Sequence, residues 1–177
     1  LFMSKQIEIT GINNKYMMKK FILKEEIGVK KKKNEILFFN NCYDYGTQKT
    51  ILYESYLDNA LDECTILKKE LQKKLNGYIS QDKKKNRYDE YTFISLHDLL
   101  KKLVESQMKC FYCEKEIYLL YQNSREPLQW TLERLDNNIQ HTLNNIEICC
   151  LKCNLQRRNQ NSDAFKISKK IKIIKIK

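Results

Sequence analysis

The segments CFYC (110–113) and WTLERLDNNIQHTLNNIEICCLKCNLQRR (130–158) decide the fold of this chain. Two Cys-x-x-Cys pairs, Cys110/Cys113 and Cys150/Cys153, bracket a polar segment holding carboxylates, a histidine and several asparagines. Thiolates select zinc or iron–sulfur, and two such knuckles match a closed tetrahedral zinc site better than a chance pattern or a redox disulfide pair. Four cysteine ligands leave no open coordination position, so the zinc is expected to be structural and to close a loop that a small module cannot hold by burial alone. Cys149 competes with Cys150 for the fourth place. In an extended Ile146–Cys150 segment Cys150 shares a face with Ile146 and Ile148 while Cys149 points the other way, and only Cys150 keeps the x2 spacing, so Cys150 is the expected ligand.

Around this stretch, Trp130 to Asp136 reads as a strand, Asn137 to Asn145 as a turn and loop, Ile146 to Cys150 as a returning strand, and Asn154 onward as a short helix. The expected fold class is α+β, with a zinc-stapled ββα module at 95–165, a mixed and largely helical accessory region at 3–94, and a basic tail at 166–177. In the accessory region, Phe21-Ile22-Leu23 and Ile36-Leu37-Phe38-Phe39, separated by Gly28 and Lys30 to Lys33, suggest strands or a hairpin. From Leu52 to Leu75 the leucines recur at helical spacing, with Gly77 as the stop, which predicts one long amphipathic helix. Gln81 to Tyr91 reads as an exposed charged linker. Ser95-Leu-His-Asp98 is a capping-box-like start for a second helix that feeds into Cys110. His97, in its first turn, reads as a surface or packing residue, and Cys42 and Cys64 read as small buried hydrophobes. The Ile/Lys-rich tail reads either as an edge strand or as a segment ordered only by a phosphate backbone.

At 177 residues, one ordinary domain or a zinc module plus an accessory region is the natural limit. The 33 Lys+Arg against 22 Asp+Glu give a formal net charge of +11, which points to an anionic partner, nucleic acid before an acidic membrane. A Lys-, Ile- and Asn-rich composition is also what an AT-rich genome encodes, so charge alone does not decide. No signal-peptide pattern or bilayer-length apolar run is visible. With the paired cysteines this implies a reducing intracellular compartment.

The order Cys-x-x-Cys, an acidic residue with a basic neighbour on the first strand, an asparagine before the second strand, then Cys-x-x-Cys-Asn resembles the HNH (ββα-metal) endonucleases. The resemblance is to their four-cysteine zinc branch, which includes the phage resolvase endonuclease VII and many phage and giant-virus HNH proteins. It covers roughly residues 100–160; residues 1–95 resemble nothing familiar. It implies a metal-dependent DNA endonuclease with a structural Zn²⁺ and one catalytic Mg²⁺ or Mn²⁺, the latter between Glu133 and Asn154. Hard oxygen ligands suit such an ion. Arg134, Arg157, Arg158 and Lys152 would meet phosphates, and Asn145 would tie the loop together in support of the base. If the source is viral, the compartment would be host cytoplasm, host nucleus or virion.

The chain departs from this pattern where the usual general base, a histidine directly after the first-strand carboxylate, is replaced by Arg134. His141 is the only histidine in the segment and the candidate base, since neutral imidazole suits water activation near neutral pH, with capping of the loop or phosphate binding as its alternative. Asp136 lies on the opposite strand face from Glu133 and reads as a turn residue, with a role as the metal ligand as its alternative. The expected substrate is double-stranded or branched DNA. Double-strand cutting would require two sites, as in a homodimer, and no membrane role is expected. A competing reading from the missing histidine is a catalytically decayed HNH module that binds nucleic acid or serves a structural role.

Overall fold

In this computed structural model residues 39–171 are described, all within one compact unit, Lys31–Lys177. The strands expected before residue 39 and the end of the basic tail, 172–177, lie outside the described residues. The described part is mixed α+β: five helices and a two-stranded antiparallel sheet.

Asp44 caps the first helix, α1 (Tyr45–Tyr56), by accepting from the Thr47 backbone N–H at 2.8 Å. The long helix expected over 52–75 is two helices. The chain leaves α1 at Leu57, turns through Asp58 in the left-handed region (φ 60°), and re-enters as α2 (Asp62–Lys84). Leu57 and Leu61, which lent the pattern its apparent continuity, are exposed at the turn. α2 also runs past Gly77, its expected stop. Its buried stripe, Cys64, Leu67, Leu71, Leu75, Tyr78 and Asp82, keeps three- and four-residue steps straight through the glycine. Gly in a helix interior costs roughly 1 kcal/mol, less than burying two further turns against the sheet returns. Residues 81–84 of the expected linker are therefore helix, and Asp82 is fully buried.

Ser95 caps α3 (Leu96–Glu105) as its sequence suggests, accepting from the Asp98 N–H at 3.1 Å and donating to its carboxylate at 2.6 Å. His97 stacks on Tyr56 at 5.7 Å. α1 packs on both α2 and α3. Strands β1 (Trp130–Arg134) and β2 (Ile146–Cys150) pair with Trp130 opposite Cys150 and Arg134 opposite Ile146. The helices α4 (Leu151–Arg157) and α5 (Ser162–Lys170) follow. α5 takes up the start of the basic tail, with Asn161 as cap and Phe165 buried against Tyr112.

Among the described residues the sheet has two strands, so β1 has an open edge whose backbone groups need partners. Trp130 N takes the Tyr118 carbonyl at 3.1 Å, and helices supply the other partners with side chains. Along α2, at four-residue steps, Lys74 donates to Trp130 O, the Tyr78 hydroxyl accepts from Leu132 N at 3.0 Å, and Asp82 reaches Arg134 and His141. From α4, Asn154 donates to Leu132 O at 3.3 Å and Arg157 to Arg134 O. α2 thus stands in the place of a third strand and forms one wall of the site.

Candidate metal centre and adjoining cleft

Cys110, Cys113, Cys150 and Cys153 bring their sulfurs within 4.8 Å of one another. The first knuckle is a tight turn that closes with Glu114 N on Cys110 O at 2.9 Å, Glu114 itself adopting φ 57°. Phe111 N ties the knuckle to Ile148 O of β2. The second knuckle is the β2–α4 junction, where Cys150 is the N-cap of α4 and its sulfur accepts from Cys153 N. Cys149 is excluded, as strand alternation requires: it is buried beside Thr131, 3.2 Å from its hydroxyl, on the opposite face. Hydrogen bonds from Cys150 and Cys153 hold the Cys110 thiol far below its usual range and push their own upward, Cys150 to about 12. Sulfurs this crowded share protons unless a cation replaces them, and four thiolates in a closed cluster fit zinc in a structural role.

Beside this centre lies a cleft of about 560 Å³ between α2, the β1 edge and α4. It is lined by Glu133, Arg134, His141, Asn154 and Arg158, together with Lys85 and Arg87 from the end of α2 and the loop after it. Lys152 is exposed elsewhere, its backbone N–H bonded to Pro127 O. Asp136 and Asn145 do not line this cleft; they lie in the hairpin loop. Asn145 accepts from Asp136 N at 2.8 Å and donates to the carbonyls of Asp136, Ile139 and Gln140, and Asp136 accepts from Asn138 N at 2.8 Å as a turn residue does. These bonds set the path of the loop that carries His141.

His141 is 2% exposed, packed against Tyr78 (4.7 Å) and Phe93 (6.2 Å). Its Nδ1 and backbone N both meet Asp82 Oδ2, at 2.6 and 3.0 Å, whereas its Nε2 has no hydrogen-bond partner among the described residues. Burial pushes the imidazole below its usual value of 6.5, with Asp82 opposing the shift. Burial alone would raise the Asp82 carboxyl, but hydrogen bonds from His141 and from Arg87 Nε (2.7 Å) outweigh it and hold the group low.

Glu133 is buried, and its Oε1 is ion-paired with the equally buried Arg157. Burial raises its carboxyl, Arg157 partly offsetting the shift. Arg157 also binds Gln160 O and Asn137 Oδ1, so it is interior to the fold and does not line the cleft as a phosphate contact would. Asn154 spends its amide hydrogens on Thr131 Oγ1 and Leu132 O, which leaves its Oδ1 without a hydrogen bond among the described residues. Among the described residues, the only hydrogen-bond partner of Glu133 Oε2 is the Cys149 thiol at 3.9 Å. Both residues line the cleft, and carboxylate and amide oxygens are hard donors of the type Mg²⁺ takes.

Asp82, Arg87 and Tyr78 were missed in the sequence. Their signal was there, since Tyr78 and Asp82 continue the α2 stripe at its own spacing, but both are polar-tipped and lie beyond a glycine. The chain matches no family model, no curated protein and no solved structure. No helix among the described residues is long and apolar enough to cross a membrane.

Proposed function

We propose that this chain is a zinc-stapled, metal-dependent endonuclease of the HNH type that hydrolyses phosphodiester bonds in double-stranded or branched DNA. The observation carrying the proposal is the single open nitrogen of His141, in a cleft that also presents Glu133, Asn154 and the cations Lys85, Arg87, Arg134 and Arg158. A lone-pair nitrogen beside hard oxygens and excess positive charge suits hydrolysis of an anionic ester.

His141 Nε2 accepts the proton of the attacking water. The new P–O bond forms as the bond to the 3′ oxygen breaks; that oxygen leaves with the electron pair and takes a proton from solvent, giving a 5′ phosphate and a 3′ hydroxyl. Arg158 and Lys85 neutralise flanking phosphates. Glu133 and Asn154 would hold a Mg²⁺ or Mn²⁺ ion, which when bound supplies charge neutralisation at the scissile phosphate.

A second reading, a decayed HNH module that binds nucleic acid without cutting it, is favoured by the Glu133–Arg157 pair, because Arg157 already neutralises the carboxylate that should serve the ion. Incubating the zinc-loaded protein with supercoiled plasmid and with a four-way junction, in Mg²⁺, Mn²⁺ or EDTA, separates the two. The enzyme reading expects metal-dependent nicking lost in His141→Ala with DNA retardation in gels unchanged. Retardation with no cleavage of any DNA form would leave the binding module.

A further inference from the structure

We infer that Asp82, a residue of the accessory helix α2, is the positioning residue of the site: it fixes the His141 proton on Nδ1 and so leaves Nε2 as the acceptor. The inference rests on the proposed role of His141 and extends it, because the base is then oriented from outside the metal module.

The geometry is a divided carboxylate. Oδ2 faces His141 and takes both its backbone N–H and its Nδ1, at 3.0 and 2.6 Å. Oδ1 faces the other way and takes Arg87 Nε at 2.7 Å and Arg134 Nη1 at 3.4 Å. A carboxylate flanked by two guanidinium groups is ionised and can only accept hydrogen bonds, so Nδ1 must be the protonated nitrogen. The charged and titratable groups facing the ring are Asp82 from α2, Arg87 from the following loop and Arg134 from β1. The Tyr78 phenol, kept protonated by burial, covers one face. Arg134 occupies the position after Glu133 where the HNH pattern has its base, and instead anchors the carboxylate that orients His141.

Asp82→Asn is the informative variant. Donors lie on both sides of the carboxylate, but the two guanidinium groups are the charged ones, so the new amide turns its oxygen to Arg87 and its NH₂ to His141, at the cost of the acceptor for the His141 backbone N–H. Nδ1 must then accept and Nε2 carries the proton, which removes the lone pair from the cleft. The negative charge is also gone while Arg87 and Arg134 remain, so the imidazolium is harder to form and the His141 pKa falls further.

The chain has two histidines, so His97→Gln leaves His141 as the single imidazole, and two-bond ¹⁵N–¹H correlation spectra of the full-length, zinc-loaded protein read its tautomer without metal or DNA in the cleft. The expected spectrum has the proton on Nδ1. In Asp82→Asn it has the proton on Nε2, with a lower titration midpoint and a kcat reduced about 100-fold or more at unchanged KM for DNA. A wild-type proton on Nε2 overturns the inference, and this measurement decides alone if Asp82→Asn does not fold. A folded Asp82→Asn with wild-type tautomer and wild-type kcat also overturns it. If no DNA is cut by the wild type but the tautomer switches as described, the control of His141 by Asp82 stands and the nuclease proposal falls.

Discussion

Glu133 and Glu147 stand directly opposite each other across the β1–β2 ladder, so two carboxylates share one face of a two-stranded sheet. Like charges in that relation repel, and each has its own cation: Arg157, buried with Glu133, and Lys102, 3.7 Å from Glu147 in a partly exposed pair.

The two pairs differ in depth, and their removal should differ accordingly. Arg157→Met leaves a buried carboxylate without its partner and is expected to cost about 3–5 kcal/mol. Lys102→Met lies in the surface range, within about 1 kcal/mol. Urea unfolding of both variants beside Glu133→Gln/Arg157→Met, which should recover most of the loss, measures this.

Zinc should be stoichiometric, one ion per chain, and bound through the four clustered cysteines. Cys110→Ser or Cys153→Ser is expected to lose the metal and, with it, cooperative melting, because binding energy at a structural site is folding energy. Cys149→Ser, across the strand from the cluster, should keep one zinc. Elemental analysis with a thermal melt in the presence and absence of chelator checks all three.

Stability should fall on mild acidification because of His141. Its folded-state pKa lies below its ordinary 6.5. The unfolded chain therefore binds a proton first, so the contribution of His141 is complete above about pH 6.5 and is lost as pH falls through the lower folded value. Chemical unfolding between pH 7.5 and 5 with excess zinc should show this slope in the wild type and a flatter one in His141→Gln. Equal slopes would contradict it.

The helix-for-strand substitution along β1 can be tested at its middle point. Tyr78→Phe removes the acceptor of the buried Leu132 N–H and is expected to cost about 1–3 kcal/mol, with faster amide exchange localised at Leu132. A neutral substitution with unchanged exchange would show that water replaces the hydroxyl.

Much of the four-cysteine module could be read from local pattern. The x2 spacing and strand alternation were enough to choose Cys150 over Cys149, and the serine cap located α3; the loop-tying role of Asn145 was implied only by the resemblance to the HNH pattern. These features depend on neighbours within a few residues, and such neighbours lie together in any folded form of the chain. The helix boundaries were less legible: Leu57 and Leu61 carried the period of a helix through what is a turn, and Gly77 looked like an end because tertiary burial of the last turns of α2 is invisible in one dimension.

By itself the sequence determined the four-thiolate donor set, the two-strand hairpin and the presence of a histidine and a carboxylate between the knuckles, since spacing and alternation are properties of the chain. Only the tertiary structure decided what those groups face. It brought Asp82 across 59 positions to His141 and paired Glu133 with Arg157 in the interior. It also completed the open edge of β1 with side chains of a helix. The physical reason is that the ionisation and hydrogen bonding of a buried polar group are set by whatever packs against it, and that partner is chosen by the burial of the whole helix that carries it.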